Sequence, residues 1–235
     1  QMVIGAGFCR VPYRHDALFN ISAMSYGALS APAVRALSLG AAKAGCWLNT
    51  GEGGLAPHHL AGGCDLVFQI GTAKYGVRDE AGRLDDGRLA ALAAIPQVRM
   101  FEIKLAQGAK PGKGGILPAA KVTAEIAAIR GIEMGRDSLS PNRHPEIDRP
   151  DALLDVIAHV RAVSGKPTGF KTVFGDFAWF DTLCQRILER GLAVAPDFIT
   201  VDSADGGSGA APQSLIDYVG LPIQESLPML VDRLT

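Results

Sequence analysis

Short apolar runs alternate with stretches of helical period along the chain, and this rhythm predicts a parallel α/β sheet. Phe19–Met24, Cys46–Asn49, Leu66–Ile70, Val98–Lys104, Thr168–Val173 and Asp197–Val201 read as six strands. Ser30 offers an N-cap, and Pro32 a first-turn residue, for a helix running to Ala44 and stopping at Gly45. Asp151–Ser164 sets Leu153, Ile157 and Val160 on one face and ends before Gly165. Phe177–Arg190 does the same with Phe180, Leu183, Cys184 and Ile187 before Gly191, and Ile223–Leu234 with Leu227, Leu230 and Leu234.

Polar and glycine-rich residues follow each strand. Met24-Ser25-Tyr26-Gly27 comes after the first, Asn49-Thr50-Gly51-Glu52-Gly53-Gly54 after the second, and Gln69 leads into Gly71-Thr72 at the third. Lys104 ends the fourth, before Gln107-Gly108-Ala109-Lys110-Pro111-Gly112-Lys113-Gly114-Gly115. The fifth carries Lys171, and the sixth opens into Asp202-Ser203-Ala204-Asp205-Gly206-Gly207-Ser208-Gly209. An open doubly wound sheet gathers its site at one switch point, whereas a barrel collects it from many strand ends. A (β/α)8 TIM barrel in one domain over 1–235 is therefore expected, with about six of its eight strand–helix units present. Strands seven and eight are expected beyond Thr235, and a natural start before Gln1.

Composition narrows the function. The 235 residues are 48% hydrophobic and 20% charged, enough apolar material for a core, which excludes a disordered chain. The net charge of −1 and the lack of a basic run give no support for a nucleic-acid or anionic-membrane surface. The longest uncharged stretch, 17–34, holds Asn20, three serines and Pro32 and is no membrane span. Cys9, Cys46, Cys64 and Cys184 lie far apart without a CxxC, as expected of reduced, mostly buried thiols in the cytoplasm. His58-His59 are adjacent and the other three histidines isolated, so no metal site is expected.

Glycine, at 28 residues, exceeds ordinary usage, and the excess lies in the strand-end turns. Gly108–Lys113 has the wrong spacing for a phosphate loop, and Gly114 stands where its Ser or Thr must be. Gly51–Gly54 and Gly206–Gly209 are turns whose backbone can approach a flat or phosphorylated ligand closely, or simply tight strand–helix connections. Lys104 and Lys171 sit inside apolar strands, so each ammonium needs an anion or polar acceptor: a flavin, a phosphate or a carboxylate. Glu102 shares a face with Lys104, so an internal Glu102–Lys104 pair is the plainer alternative.

These segments resemble one known family. Ile21–Gly27, Asn49–Gly54, Ile103-Lys104 with Gln107–Gly112, and Asp205–Ala210 are similar to the FMN-binding synthase domain of glutamate synthases. Ser140-Pro141-Asn142-Arg143-His144 is similar to its shorter, stand-alone branch. The likeness runs from about residue 19 to 235. It implies an FMN-binding TIM barrel in which ammonia and 2-oxoglutarate form 2-iminoglutarate and reduced FMN delivers hydride to give L-glutamate. It places Met24, Ser25, Gln69, Lys104 and Lys171 at the isoalloxazine, with Gly206 and Gly207 near the flavin. Lys110 and Arg130 match positions that hold the 2-oxoglutarate carboxylates, which suits a dianion. Glu52 matches the acidic loop residue near ammonia entry, and Glu52 and Lys104 form the implied catalytic pair. Ile116 stands where full-length synthases have a substrate-contacting Gln. The cysteines of the family's iron–sulfur cluster are absent from this chain, and Cys9 is no terminal nucleophile. Nitrogen is then expected from ammonia, an amine or an amidotransferase subunit, and electrons from a donor subunit. A non-catalytic flavin-fold scaffold that binds a partner is the alternative.

Overall fold

Five strands form one parallel sheet in the order β3-β4-β5-β8-β9: Leu48–Asn49, Leu66–Ile70, Val98–Lys104, Thr168–Thr172 and Ile199–Val201. The structure, a computed structural model, describes residues 2–205, 211–216 and 218–235. The sheet curls into part of a (β/α)8 barrel, and alternation along each strand divides its two faces. Phe68, Ile70, Phe101 and Val98 pack outward with Leu89 of α3 (Asp86–Ala93) and Val160 of α5 (Pro150–Ser164). Further along, Ile103 and Phe170 join Leu153, Leu154 and Ile157 of α5 and Phe180 and Leu183 of α6 (Ala178–Arg190). The inner face carries Asn49, Gln69, Glu102 and Thr200, joined by side-chain hydrogen bonds to Glu102.

Local chemistry sets the helix ends. In α1 (Ala31–Ala44) Ser30 Oγ accepts from the Ala33 amide, and Gly45 closes the helix at φ +68°, a left-handed angle that favours glycine. The Ile223–Leu234 helix also forms, with Pro228 inside it. Its apolar face is only partly covered: Leu230 is buried, but Leu227 and Leu234 are exposed because β9 is the sheet's edge.

The first expected strand needs correction. Phe19–Met24 makes a single parallel bridge, Ile21 to Leu48, and not a ladder. Asn20 Oδ1 takes the Trp47 amide, and the Asn49 carbonyl is reached by the amide of Met24 rather than Ala23, a slip that ends the pairing. The thiols also differ from expectation: all four are free, but only Cys64 is buried.

Two small hairpins went unforeseen. β1 (Met2–Ile4) and β2 (Tyr13–His15) pair antiparallel. They pack Ile4 and Tyr13 on Val67, Met100, Trp47 and Phe198, covering the N-terminal end of the sheet. β6 (Ile116–Leu117) and β7 (Ser138–Leu139) pair in the excursion between β5 and α5, which also carries the 3-10 turn Ala119–Lys121 and α4 (Ala124–Arg130). The remaining elements are α2 (Pro57–Leu60), the turn Leu192–Val194, and α7 (Gln213–Ile216), with the Ile223–Leu234 helix as α8.

Candidate functional site

At the C-terminal ends of the strands a cavity of about 560 Å³ opens beneath the 105–149 excursion. Met24, Ser25, Glu52, Gln69, Lys104 and Lys171 line it from the sheet side, and Lys110 and Arg130 from the excursion. The structure thus brings together eight of the residues singled out in the sequence. Gly206 and Gly207 lie outside the described residues.

Two of the cations are matched and two are not. Lys104 Nζ lies 3.0 Å from Glu52 Oε1 and also donates to Gln107 Oε1 at 3.3 Å. Lys171 Nζ is 3.4 Å from Asp202 Oδ2, which also accepts from the Gly108 amide at 2.9 Å. The expected alternative of a Glu102–Lys104 pair is not formed, since Glu102 is held by Asn49, Gln69 and Thr200 instead. Lys110 and Arg130 are buried at 7% and 6% exposure and have no carboxylate within ion-pair distance among the described residues. Burial pushes the Lys110 amine below its ordinary value, Glu52 opposes this, and Lys104 and Lys113 add to it. Burial likewise lowers Arg130, against the pull of Tyr75 and Glu52. An unmatched buried cation is costly unless an anion arrives.

Arg130 is placed with care. It is the last residue of α4, whose N-cap is Thr123 and whose end is Gly131 at φ +66°. Its guanidinium stacks over Tyr75 at 5.0 Å, and Nη1 donates to Ser138 Oγ at 3.0 Å. Ser138 in turn donates to Tyr75 Oη at 2.7 Å. Arg130 Nη2 reaches the Tyr26 carbonyl at 3.4 Å, while Nε is buried without a partner. Ser25 Oγ, on the same side near Gly53, is a second buried polar atom without one.

Glycine makes room for Glu52. A Cβ on Gly71 would lie 2.6 Å from Glu52 Cβ, and one on Gly115 2.9 Å from its Oε1. Gly51 turns at φ +67° against the Ser25 amide. Met24 is fixed by His59, whose Nδ1 accepts from the Ala56 amide, so Nε2 donates to the Met24 carbonyl at 2.8 Å. Burial keeps this imidazole's pKa low.

The Ser140–His144 segment fastens the excursion. Asn142 Oδ1 accepts from Gly114 at 3.0 Å, Thr72 donates to the Pro141 carbonyl at 2.6 Å, and His144 Nε2 meets the Lys104 carbonyl at 2.9 Å. Behind it Glu146 pairs with Lys74 at 3.0 Å. Burial alone would raise the Glu146 carboxyl, but bonds from His144, its own amide and Lys74 hold it down to about 2.

Comparison with known proteins gives the family. Residues 3–235 match the conserved region in glutamate synthase. The chain belongs to the glutamate synthase family. It is 45% identical over 233 residues to the glutamate synthase large subunit-like protein YerD of Bacillus subtilis, covering 99% of this chain and 44% of that protein. It is 34% identical over 220 residues to the archaeal glutamate synthase [NADPH] of Methanocaldococcus jannaschii, 93% of this chain and 40% of that one. With the glutamate synthase large subunit-like protein of Rhizobium meliloti identity is 31% over 224 residues, 94% and 46%. The chain spans less than half the length of these relatives.

For a glutamate synthase relative, several groups at or behind the cavity hold roles that the sequence did not assign. Lys121 and Ser140 line the cavity, Tyr75 and Ser138 seat Arg130, and Asn49 holds Glu102. Tyr75 and Ser138 lie far apart along the chain, and only the folded excursion joins them. Glu102 carried a signal, a carboxylate inside an apolar strand, but its partners were misassigned. Among the described residues no helix is long and apolar enough to cross a membrane, and no group of three metal-ligating side chains forms.

Proposed function

We propose that this chain forms the cofactor and substrate site of an FMN-dependent oxidoreductase. Its reaction would reduce 2-iminoglutarate, formed from 2-oxoglutarate and ammonia or an amine, to L-glutamate or an N-substituted glutamate. The observation that carries the reading is the pair of buried cations, Lys110 and Arg130, that face one cavity without a carboxylate partner among the described residues. A dicarboxylate supplies two anions, and a guanidinium can grip one of them with paired N–H donors.

The residues fit FMN. Ser25 Oγ is unpartnered at the cavity wall, Gly51 and Gly53 keep Cβ atoms off Ser25, and Lys104 and Lys171 stand at neighbouring strand ends. Met24, Ser25, Gln69, Lys104 and Lys171 would hold the isoalloxazine, and bound reduced FMN would supply hydride to C2 of the imine. Lys110 and Arg130 would bind and orient the two substrate carboxylates, and the excursion carrying them would exclude water. Glu52, paired with Lys104, sets a carboxylate at the wall where an ammonium or amine would enter. The imine nitrogen takes one proton as C2 takes the hydride. Gly206 and Gly207 keep the family's flavin-side role in this proposal. An electron-donor or amidotransferase subunit is the partner the reaction calls for, and any iron–sulfur cluster would lie outside the four cysteines of this chain.

The test is spectroscopic. The purified protein should show bound-flavin absorbance, and photoreduced flavin should regain its colour when 2-oxoglutarate and an ammonium salt or amine are added without oxygen. Bound flavin that no 2-oxo acid with ammonia reoxidises would instead favour a flavin-fold scaffold without catalysis. Absence of flavin uptake would refute the reading.

A further inference from the structure

Below the cavity, Glu102 is a carboxylate at 2% exposure with no cation within ion-pair distance among the described residues. Three neutral donors from three other strands converge on it. Asn49 Nδ2 and Gln69 Nε2 meet Oε1 at 2.8 and 2.7 Å, and Thr200 Oγ1 meets Oε2 at 2.5 Å. The direction of these bonds is fixed from both ends. Asn49 Oδ1 accepts from the Gly51 amide at 2.9 Å, so its nitrogen must be the end that faces Glu102. Glu102 Oε1 is therefore an acceptor, and the Gln69 amide must also turn its nitrogen toward it.

Gln69 lines the cavity, and with Nε2 held by Glu102 its carbonyl oxygen is the end left for a ligand. We propose that Glu102 is a positioning residue that fixes the polarity of the Gln69 amide, so that this point of the cavity floor reads an N–H donor on the bound ring. This rests on the flavin reading above. The pyrimidine edge of an isoalloxazine carries one ring N–H, at N3, between two carbonyls. A floor presenting an oxygen selects that N–H, whereas a floor presenting an amide nitrogen would favour the carbonyls on either side.

Binding of FMN and of 3-methyl-FMN, read by flavin fluorescence, tests the proposal. The wild-type protein should prefer FMN by about tenfold or more, the scale of one unmade buried hydrogen bond. Glu102→Gln should keep the preference, since its carbonyl can accept from both amides while its nitrogen donates to the Thr200 hydroxyl. Glu102→Met removes the acceptor and should abolish most of the preference. Gln69→Met should abolish it too, while leaving the carboxylate its Asn49 and Thr200 donors, and so reads out even where Glu102→Met does not fold. Equal binding of the two flavins to wild type overturns the proposal while leaving the flavin reading intact. So does a preference that survives in Gln69→Met, which would make the discrimination steric. No uptake of either flavin overturns both.

Discussion

Lys110→Met separates binding from stability, because the two should move in opposite directions. The ammonium is 7% exposed, lacks a carboxylate among the described residues, and is held below its ordinary pKa by burial. In the empty protein it is thus a cost, and methionine keeps the apolar stem while removing the charge. Hydrogen bonds to charged groups contribute about 1.5–3 kcal/mol, so losing one to a substrate carboxylate should weaken 2-oxoglutarate binding by roughly ten- to a hundredfold. Flavin affinity should hardly change. The unliganded variant should melt no lower than wild type, and saturating 2-oxoglutarate should raise its Tm less. The pH dependence has a definite sign. A lowered folded-state pKa means the unfolded chain binds more protons between that value and 10.5, so wild-type stability should rise with pH across that window. The variant should lack that rise. Thermal melts with and without 2-oxoglutarate, alongside flavin titration, measure all of this. Loss of flavin with substrate affinity intact would refute the assignment, as would a marked drop in the Tm of the unliganded variant.

Three further outcomes follow from the ion pairs. Lys171→Met should lower the flavin reduction potential by some tens of millivolts, ~30 mV being about 1.4 kcal/mol for two electrons, and spectroelectrochemistry would read it. Because Asp202 lies 3.4 Å from Lys171, Asp202→Asn should shift the potential the opposite way. Glu146, held at about 2 against an ordinary 4.5, contributes stability that is present above 4.5 and lost as pH falls toward 2. Glu146→Gln should flatten that acid limb in urea melts; an unchanged limb would remove Glu146 from the account.

Leu66–Ile70 was legible as a short, mostly apolar run bounded by turns, and Val98–Lys104 because its β-forming apolar residues outweigh the charges at Arg99, Glu102 and Lys104. Phe19–Met24 misled for the same reason. Its apolar residues satisfy the pattern, but Phe19 is 87% exposed and the side chain of Asn20 takes a bond that a ladder would have used. Lys104 and Lys171 stood out as charges in apolar surroundings. Arg130 did not, because it ends a short helix whose position depends on β6 meeting β7 across 20 intervening residues. Its assignment came from family likeness alone. The N-terminal hairpin was hidden because its strands are three residues each, too short for any period.

The two unmatched cations and the matched ones belong to different pieces of chain. Lys104 and Lys171 stand on β5 and β8, whereas Lys110 and Arg130 ride on the excursion that Ser140–His144 clips down. Under the proposed reading, redox tuning is written in the sheet and acid recognition in a detachable loop region. Insertions or exchanges within 105–149 could then change which acid is accepted while the cofactor side is inherited unaltered, which makes the family's substrate range open to change by small, local edits.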